Sequence, residues 1–254
     1  MTGRQGERGL ALIVVLWGIA ALSLIAGAML ATSMTRAHVT RNAWAQLVVQ
    51  SAADSAVQGA VLSLFDPDPK GLPPLDGNAR SSTTGDTTTT LSVQDEAGRI
   101  DLNAAGSELL RNYFRISGIA DADAVVDRVI AWRTPKSGGD EGAGRPFQSV
   151  AELALVPGMT PALVARLAPG LTVYSHRASF DMRYASRLVI AAIPGVTPQA
   201  ADQMIAHRVA SVAARGHAFT IVATVTRGPV RFSREAVVLL TGDPRRPYWM
   251  LDWR

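Results

Sequence analysis

No proline interrupts the first 66 residues, and from Leu10 to Thr35 no residue carries a charge. Together these two features restrict the N-terminal quarter to one long helix. The uncharged stretch rises about 39 Å as an α-helix, enough to cross a hydrocarbon core of roughly 30 Å. Arg4 and Arg8 precede it with a single Glu7, and short cationic flanks of this kind hold an N-terminus in the cytoplasm. A secretory signal has an apolar core of about 7–15 residues before an A-x-A-like cleavage site. Ala26-Gly27-Ala28 has the form of that site, but the apolar run ahead of it is too long. Residues 10–35 are therefore read as a single-pass membrane anchor, with the C-terminal part outside the cytoplasm.

The helix does not stop at the membrane. Val39, Ala43, Trp44, Leu47, Val48, Ala52, Ala56, Ala60 and Leu64 recur at three- and four-residue steps, which places them on one face. Arg36, Arg41, Asp54 and Gln58 sit largely off it. Asp66-Pro67-Asp68-Pro69-Lys70-Gly71 then ends the helix. A helix over 10–65, half in lipid and half along a soluble unit, is the expectation.

Beyond it the periods change repeatedly. Ser81 to Thr90 reads as a polar loop, leading into a β-branched strand at Thr88–Val93. Asp95–Arg99 reads as a turn before a short strand at Ile100–Leu102. Three similar units follow. Ile116-Ser117-Gly118 precedes a helical run from Ala122 to Arg133, Val156-Pro157-Gly158-Met159-Thr160-Pro161 precedes one from Ala162 to Leu167, and Ile193-Pro194-Gly195-Val196-Thr197-Pro198 precedes one from Gln199 to Val209. In each, Gly makes the turn and Thr or Asp stands at the N-cap, and in the second and third Pro favours the first helical turn. The geometry expected is helix-hairpin-helix. Phe219–Val225 and Val230–Leu240, separated by Arg227-Gly228-Pro229, form a hairpin. Pro247–Arg254 supplies one more strand, whose aromatics are read as packing.

Composition excludes several chemistries. The chain has no cysteine, so it has neither disulfides nor thiolate sites. Its formal charge is +4, but the arginines are scattered, without the clustered run that nucleic acid requires. The hairpin turns carry Thr160 and Thr197 where a DNA-binding hairpin has a second glycine for phosphate approach. A signal-anchored periplasmic helix-hairpin-helix DNA-binding protein is the alternative reading. Asp121, Asp123 and Asp127 lack the Gly and terminal Glu of a calcium loop, and acids at that position favour a helix N-terminus. Asp140 and Glu141, in the Gly-rich loop from Ser137 to Gly144, are the weak calcium candidates. His38, His176, His207 and His217 stand in unrelated contexts and no catalytic motif occurs, so an enzyme is not expected.

Several stretches carry a family resemblance. Arg8-Gly9-Leu10-Ala11-Leu12 is similar to a type IV prepilin leader, in which Gly ends the basic segment and the apolar helix starts at once. Val93-Gln94-Asp95-Glu96-Ala97-Gly98-Arg99-Ile100-Asp101-Leu102-Asn103 is the most specific match, joined by Val129–Arg133 and by Phe147–Met159. With them the chain resembles the K-type minor pseudopilins of the type II secretion system. The resemblance implies an α+β fold: leader 1–9, helix 10–65, a pilin-like αβ head from 66–101 and 179–254, and an inserted all-helical domain at 102–178. It implies cleavage by the prepilin peptidase between Gly9 and Leu10 and N-methylation of Leu10. It also implies I- and J-type minor pseudopilin partners and a place at the pseudopilus tip that helps initiate assembly. Most pilins carry Glu at the fifth mature position, which here is Val14, and a subunit with nothing above it has no use for that carboxylate. Departures accompany the match. Ala131 and Arg133 flank Trp132 where the family has acidic residues, the 133–147 loop is short, and the helical insert is small. The calcium sites of some family members therefore carry over poorly.

Overall fold

The computed structural model describes residues 6–66, 73–134, 144–208 and 213–254. Helix α1, Gly6–Ser63, is continuous over 58 residues, about 87 Å. Its apolar part, Leu12–Met29, has a mean hydropathy of 2.4 and none of it is buried in the protein.

The second half of α1 lies on an antiparallel sheet of order β1-β2-β5-β6-β7. The strands are β1 (Arg80–Thr84), β2 (Thr87–Asp95), β5 (Ala218–Arg227), β6 (Val230–Leu240) and β7 (Tyr248–Trp253). Val49, Ala53, Val57, Ala60, Val61 and Leu64 of α1 pack on Val93, Phe219, Ile221, Ala223, Val225, Ala236, Val238 and Leu240. Each buried Val or Leu contributes roughly 1.5–3 kcal/mol, and the alanines let helix and sheet approach closely. The buried stripe is only partly the one the periodicity selects. Ala60 and Leu64 belong to both and Ala52 and Ala56 pack at its margin, but Trp44 and Leu47 stay 66% and 59% exposed. A helix this rich in apolar residues offers adjacent stripes about 100° apart, and the row of Val49, Ala53, Val57 and Val61 is the one packed on the sheet.

Ser81–Thr84 is a strand rather than a loop. β1 pairs with β2 from Arg80↔Leu91 to Thr84↔Thr87, and Gly85, at φ +61°, opens the two-residue turn. Cross-strand partners outweigh the polar composition here, with Ser81 and Thr90 hydroxyls 2.9 Å apart.

β2 and β5 are neighbours, Asp95 opposite Phe219, so the chain leaves the sheet at Asp95 and returns at Ala218. Between them lies a helical unit with its own core. It contains α2 (Ser107–Ile116), α3 (Ala122–Arg133), α4 (Pro161–Leu167), α5 (Arg187–Ala191) and α6 (Pro198–Ala206), with a two-residue parallel pair of β3 (Ile100–Asp101) and β4 (Leu171–Thr172). Leu102, Leu110, Phe114, Val126, Val129, Leu153 and Leu167 are its centre. Val189, Ile190 and Ala201 pack here too, although the sequence reading assigned everything after 178 to the αβ head. Tyr113, fully buried, donates its hydroxyl to the Leu167 carbonyl at 2.7 Å, and burial pushes its pKa up to about 12.

Candidate functional site

Two features gather the residues that the sequence singles out: the exposed side of α1, and the junction between the two cores. On α1, Val14 is 63% exposed, as are its apolar neighbours along the span. Gly9 and Leu10 lie inside the helix, which already begins at Gly6; the proposed leader therefore meets the span without a helix break. In the soluble half, Trp44, Leu47, Val48, Ser51, Ala52 and Ser55 line an open groove of about 460 Å³. Ser51, Ser55 and Gly59 follow at four-residue steps, and a side chain added at Gly59 would meet nothing within 4 Å. Rows of small residues at this spacing let a second helix come close.

The junction is built by the Asp95–Asn103 motif. Asp95 is fully buried where β2 ends. One carboxylate oxygen accepts the Ala97 N–H at 2.9 Å, and the other meets His217 Nδ1 at 2.8 Å. The other ring nitrogen of His217 faces Arg177 at 3.5 Å. Glu96, 1% exposed, pairs with Arg99 at 2.9 Å. Gly98 is required by a close approach: a Cβ there would stand 2.4 Å from the carbonyl carbon and oxygen of Tyr184.

Asp101 follows, 1% exposed. Its Oδ1 accepts the N–H groups of Asn103 at 2.8 Å and Ala104 at 3.1 Å. Its Oδ2 accepts the Ser175 hydroxyl at 3.1 Å and the His176 N–H at 2.7 Å. Asn103 then holds Phe147 at both ends, donating to its carbonyl at 2.9 Å and accepting its N–H at 2.8 Å. Phe147 stacks on Trp132, rings 6.1 Å apart and 18° from parallel. Arg133 reaches back to the carbonyls of Leu102 and Ala105 at 2.5 and 2.6 Å, and burial lowers its pKa. Every carboxylate here holds backbone, imidazole or guanidinium groups. The motif joins two cores and fixes their loops; its acids and His217 work as braces. The His217–Asp95 pair could not be read from the sequence, because 121 residues lie between them and no spacing links them.

No family model matches the chain, and no curated protein matches it. Among solved structures it is similar to a chain of the GspK-GspI-GspJ complex from the enterotoxigenic Escherichia coli Type 2 Secretion System. The TM-score is 0.55 at 14% identity, over 86% of this chain and 98% of that one. The fold is pilin-like. The expected architecture, a long N-terminal helix, an αβ head and a helical unit, is thereby met at the level of fold.

Within this pilin-like fold the helical turns take the geometry expected of them. Gly118, Gly158 and Gly195 have φ of +76°, +88° and +79°, and Thr160 and Thr197 cap Leu163 and Ala200. Asp121 is the exception, with no side-chain cap bond. Two of the turns are already covered by the protein itself. Arg128 lies across Gly158, its Nη2 2.7 Å from where a Cβ would stand, and Arg166 donates to the Gly118 carbonyl at 3.2 Å. Each of these turns thus has an arginine packed against it; a guanidinium attracts phosphate, so this packing does not count against the DNA-binding alternative, which none of the comparisons favours. Asp123 and Asp127 pair with Arg115 and Arg111 at 3.2 and 2.5 Å. Among the described residues no group of three or more metal-ligating side chains occurs. Asp140 and Glu141 lie outside the described residues.

Proposed function

We propose that this chain is a K-type minor pseudopilin of a type II secretion system, acting at the pseudopilus tip through assembly. The observation that carries this reading is the shared fold over 98% of a chain from a complex of such a system. The Asp95–Asn103 motif, which the resemblance rests on, occupies the seam between head and helical unit. The neighbour's complex includes GspI and GspJ, and we assign I- and J-type subunits as the partners here. The span sits in the inner membrane with the head in the periplasm, and the prepilin peptidase cuts between Gly9 and Leu10, after which Leu10 is N-methylated. Intact mass and N-terminal sequencing of the protein from membranes should give a chain starting at N-methylated Leu10. Any other N-terminus would sink the reading.

Val14 supplies the mechanism of going first. A carboxylate in mid-bilayer costs about 2.5–3.5 kcal/mol on insertion scales and is tolerated when a partner meets it. In pilins that partner is the N-terminal amine of the subunit above, which a tip subunit lacks. Val14→Glu is expected to insert normally but to reduce pseudopilus initiation, read as fewer filaments and less exported protein. Unchanged secretion would count against this role.

The exposed α1 face is where a neighbouring helix would pack. Gly59→Leu should raise helix stability by roughly 1 kcal/mol, since Gly is a poor helix former, and its side chain enters open space. Assembly with the partner subunits should nevertheless fall at least tenfold in co-purification. Full assembly in a stably folded variant would remove this face from the interface.

A further inference from the structure

β7 ends the sheet, so one side of its backbone has no strand beside it. Glu235 and Arg254 exchange both backbone hydrogen bonds, at 2.8 and 2.9 Å, and Thr241 N–H donates to the Pro247 carbonyl at 2.9 Å. The alternation of an antiparallel ladder then turns the N–H groups of Tyr248 and Met250 outward. Trp253 N–H, outward by the same count, is held by the Asp252 carboxylate at 2.9 Å.

The side chains of this edge are as open as its backbone. Tyr248, Trp249, Met250, Leu251 and Trp253 are 40%, 49%, 41%, 45% and 38% exposed. The packing expected of these aromatics occurs at the surface, Tyr248 against Phe65, Trp249 under Arg246 and Trp253 under Arg234, and no β7 residue belongs to the core under α1. Phe65, beyond the end of α1, lies 6.3 Å from the Tyr248 ring and walls one end of the resulting shelf. The opposite edge differs. β1 is Arg-Ser-Ser-Thr-Thr, and its hydroxyls are joined to β2 at 2.9 and 3.2 Å. Proteins protect sheet edges with polar or charged residues because an open apolar edge recruits another strand. The β7 edge is protected less fully: a bulge opposite Val237–Val238 interrupts its ladder at Leu251, but the stretch from Tyr248 to Met250 is regular and apolar.

Charge indicates what recruits there. Arg254 is matched by Glu235 and Asp252, and Arg234 by Asp54. Asp243 is engaged by the Arg245 backbone N–H at 2.9 Å. Arg246 lies over Trp249 at 5.3 Å, and among the described residues neither Arg245 nor Arg246 has a carboxylate partner. Two cations thus stand unmatched at the start of the free edge.

We propose that β7 is a strand-addition site for an extended segment of a partner protein, apolar in its middle and carboxylate-bearing at its C-terminal end. The segment runs antiparallel, bonds Tyr248 and Met250, lays alternate side chains on the shelf, and sets its acids against Arg245 and Arg246. In antiparallel self-pairing Arg245 and Arg246 would meet the other copy's Arg254 only together with the Glu235 and Asp252 that neutralise it, so a second copy is kept as a separate outcome of the test. The site is also remote from the span, since Ser63 lies about 51 Å along α1 from Met29. The proposal does not depend on which filament α1 joins.

The test uses the full-length chain in detergent and a fluorescent peptide of sequence TVTVEE, read by anisotropy and by amide hydrogen exchange over 247–254. TVTVEE is expected to bind and to slow exchange at 248–251, and TVTVKK to bind at least tenfold more weakly. R245E/R246E should invert that preference. Met250→Pro should abolish binding with an unchanged melting temperature, because the N–H it removes bonds nothing within the sheet. Equal binding of the two peptides, no binding of either, or binding that survives Met250→Pro would overturn the proposal. Concentration-dependent self-association lost in Met250→Pro would overturn it in favour of a second copy.

Discussion

Replacing Asp101 by alanine is expected to lower the unfolding free energy by about 4 kcal/mol, one of the largest losses available in this chain. The carboxylate is 1% exposed and accepts from four donors: Asn103 N–H, Ala104 N–H, the Ser175 hydroxyl and His176 N–H. A hydrogen bond to a charged group is worth about 1.5–3 kcal/mol, and a buried donor left without an acceptor loses about 1–3. The four share one acceptor and do not add, so the total stays near the stated value. Asp101→Asn separates the contributions. It keeps one accepting oxygen and places an N–H₂ against donors on the other side, so about half the loss is expected. Urea unfolding of the full chain in detergent, followed by tryptophan fluorescence, measures both. An Asp101→Ala midpoint equal to that of the unaltered chain would refute the role assigned to this carboxylate.

Gly98→Val is expected to be as damaging for a different reason. Its Cβ would lie 2.4 Å from the Tyr184 carbonyl carbon and oxygen, and backbone atoms cannot rotate away as a side chain does. Overpacking a well-filled site typically loses 1–3 kcal/mol, and about 3 kcal/mol or more is expected where the obstacle is main chain. The displaced segment carries Tyr184, which packs in the sheet core, and Ala185, which packs in the helical core. The two cores should then uncouple, and one unfolding transition should become two, since cooperativity between units depends on the interface they share. A single transition at an unchanged midpoint would show that Gly98 does not hold the seam.

These two positions sit in the motif that the sequence marks as most specific, and the structure shows why its residue types are strict. Three carboxylates, a glycine and an asparagine each answer a local demand of the junction. What could be read in advance were features written within a few residues of one another. The uncharged span, the glycine turns at 118, 158 and 195, the Thr160 and Thr197 caps and the β5–β6 hairpin all depend on local backbone preference; the prolines at 67 and 69 lie outside the described residues. What could not be read depends on what the rest of the chain brings alongside. Periodicity placed Trp44 and Leu47 on the inner face of α1, but the sheet took the valine row. Ser81–Thr84 has the composition of a loop and became a strand because β2 lies beside it. Arg128 and Arg166 cover the hairpin turns from other helices, and no spacing announces that.

By itself, then, the sequence determined an apolar helix long enough to cross a bilayer, a second half that continues it, and the local form of the glycine turns and of the β5–β6 hairpin. Hydrophobic length and backbone sterics act over a few residues and are legible wherever they occur. Only the tertiary structure decided which stripe of α1 is buried, where the helical unit attaches, which acids are braces, and that β7 is left uncovered. Those outcomes follow from complementarity between surfaces far apart in the chain, such as Asp95 against His217 and Asn103 against Phe147. The long helix that first constrained the chain thus buries a stripe only partly foreseen by its periodicity, and the exposed remainder is the face we propose for assembly.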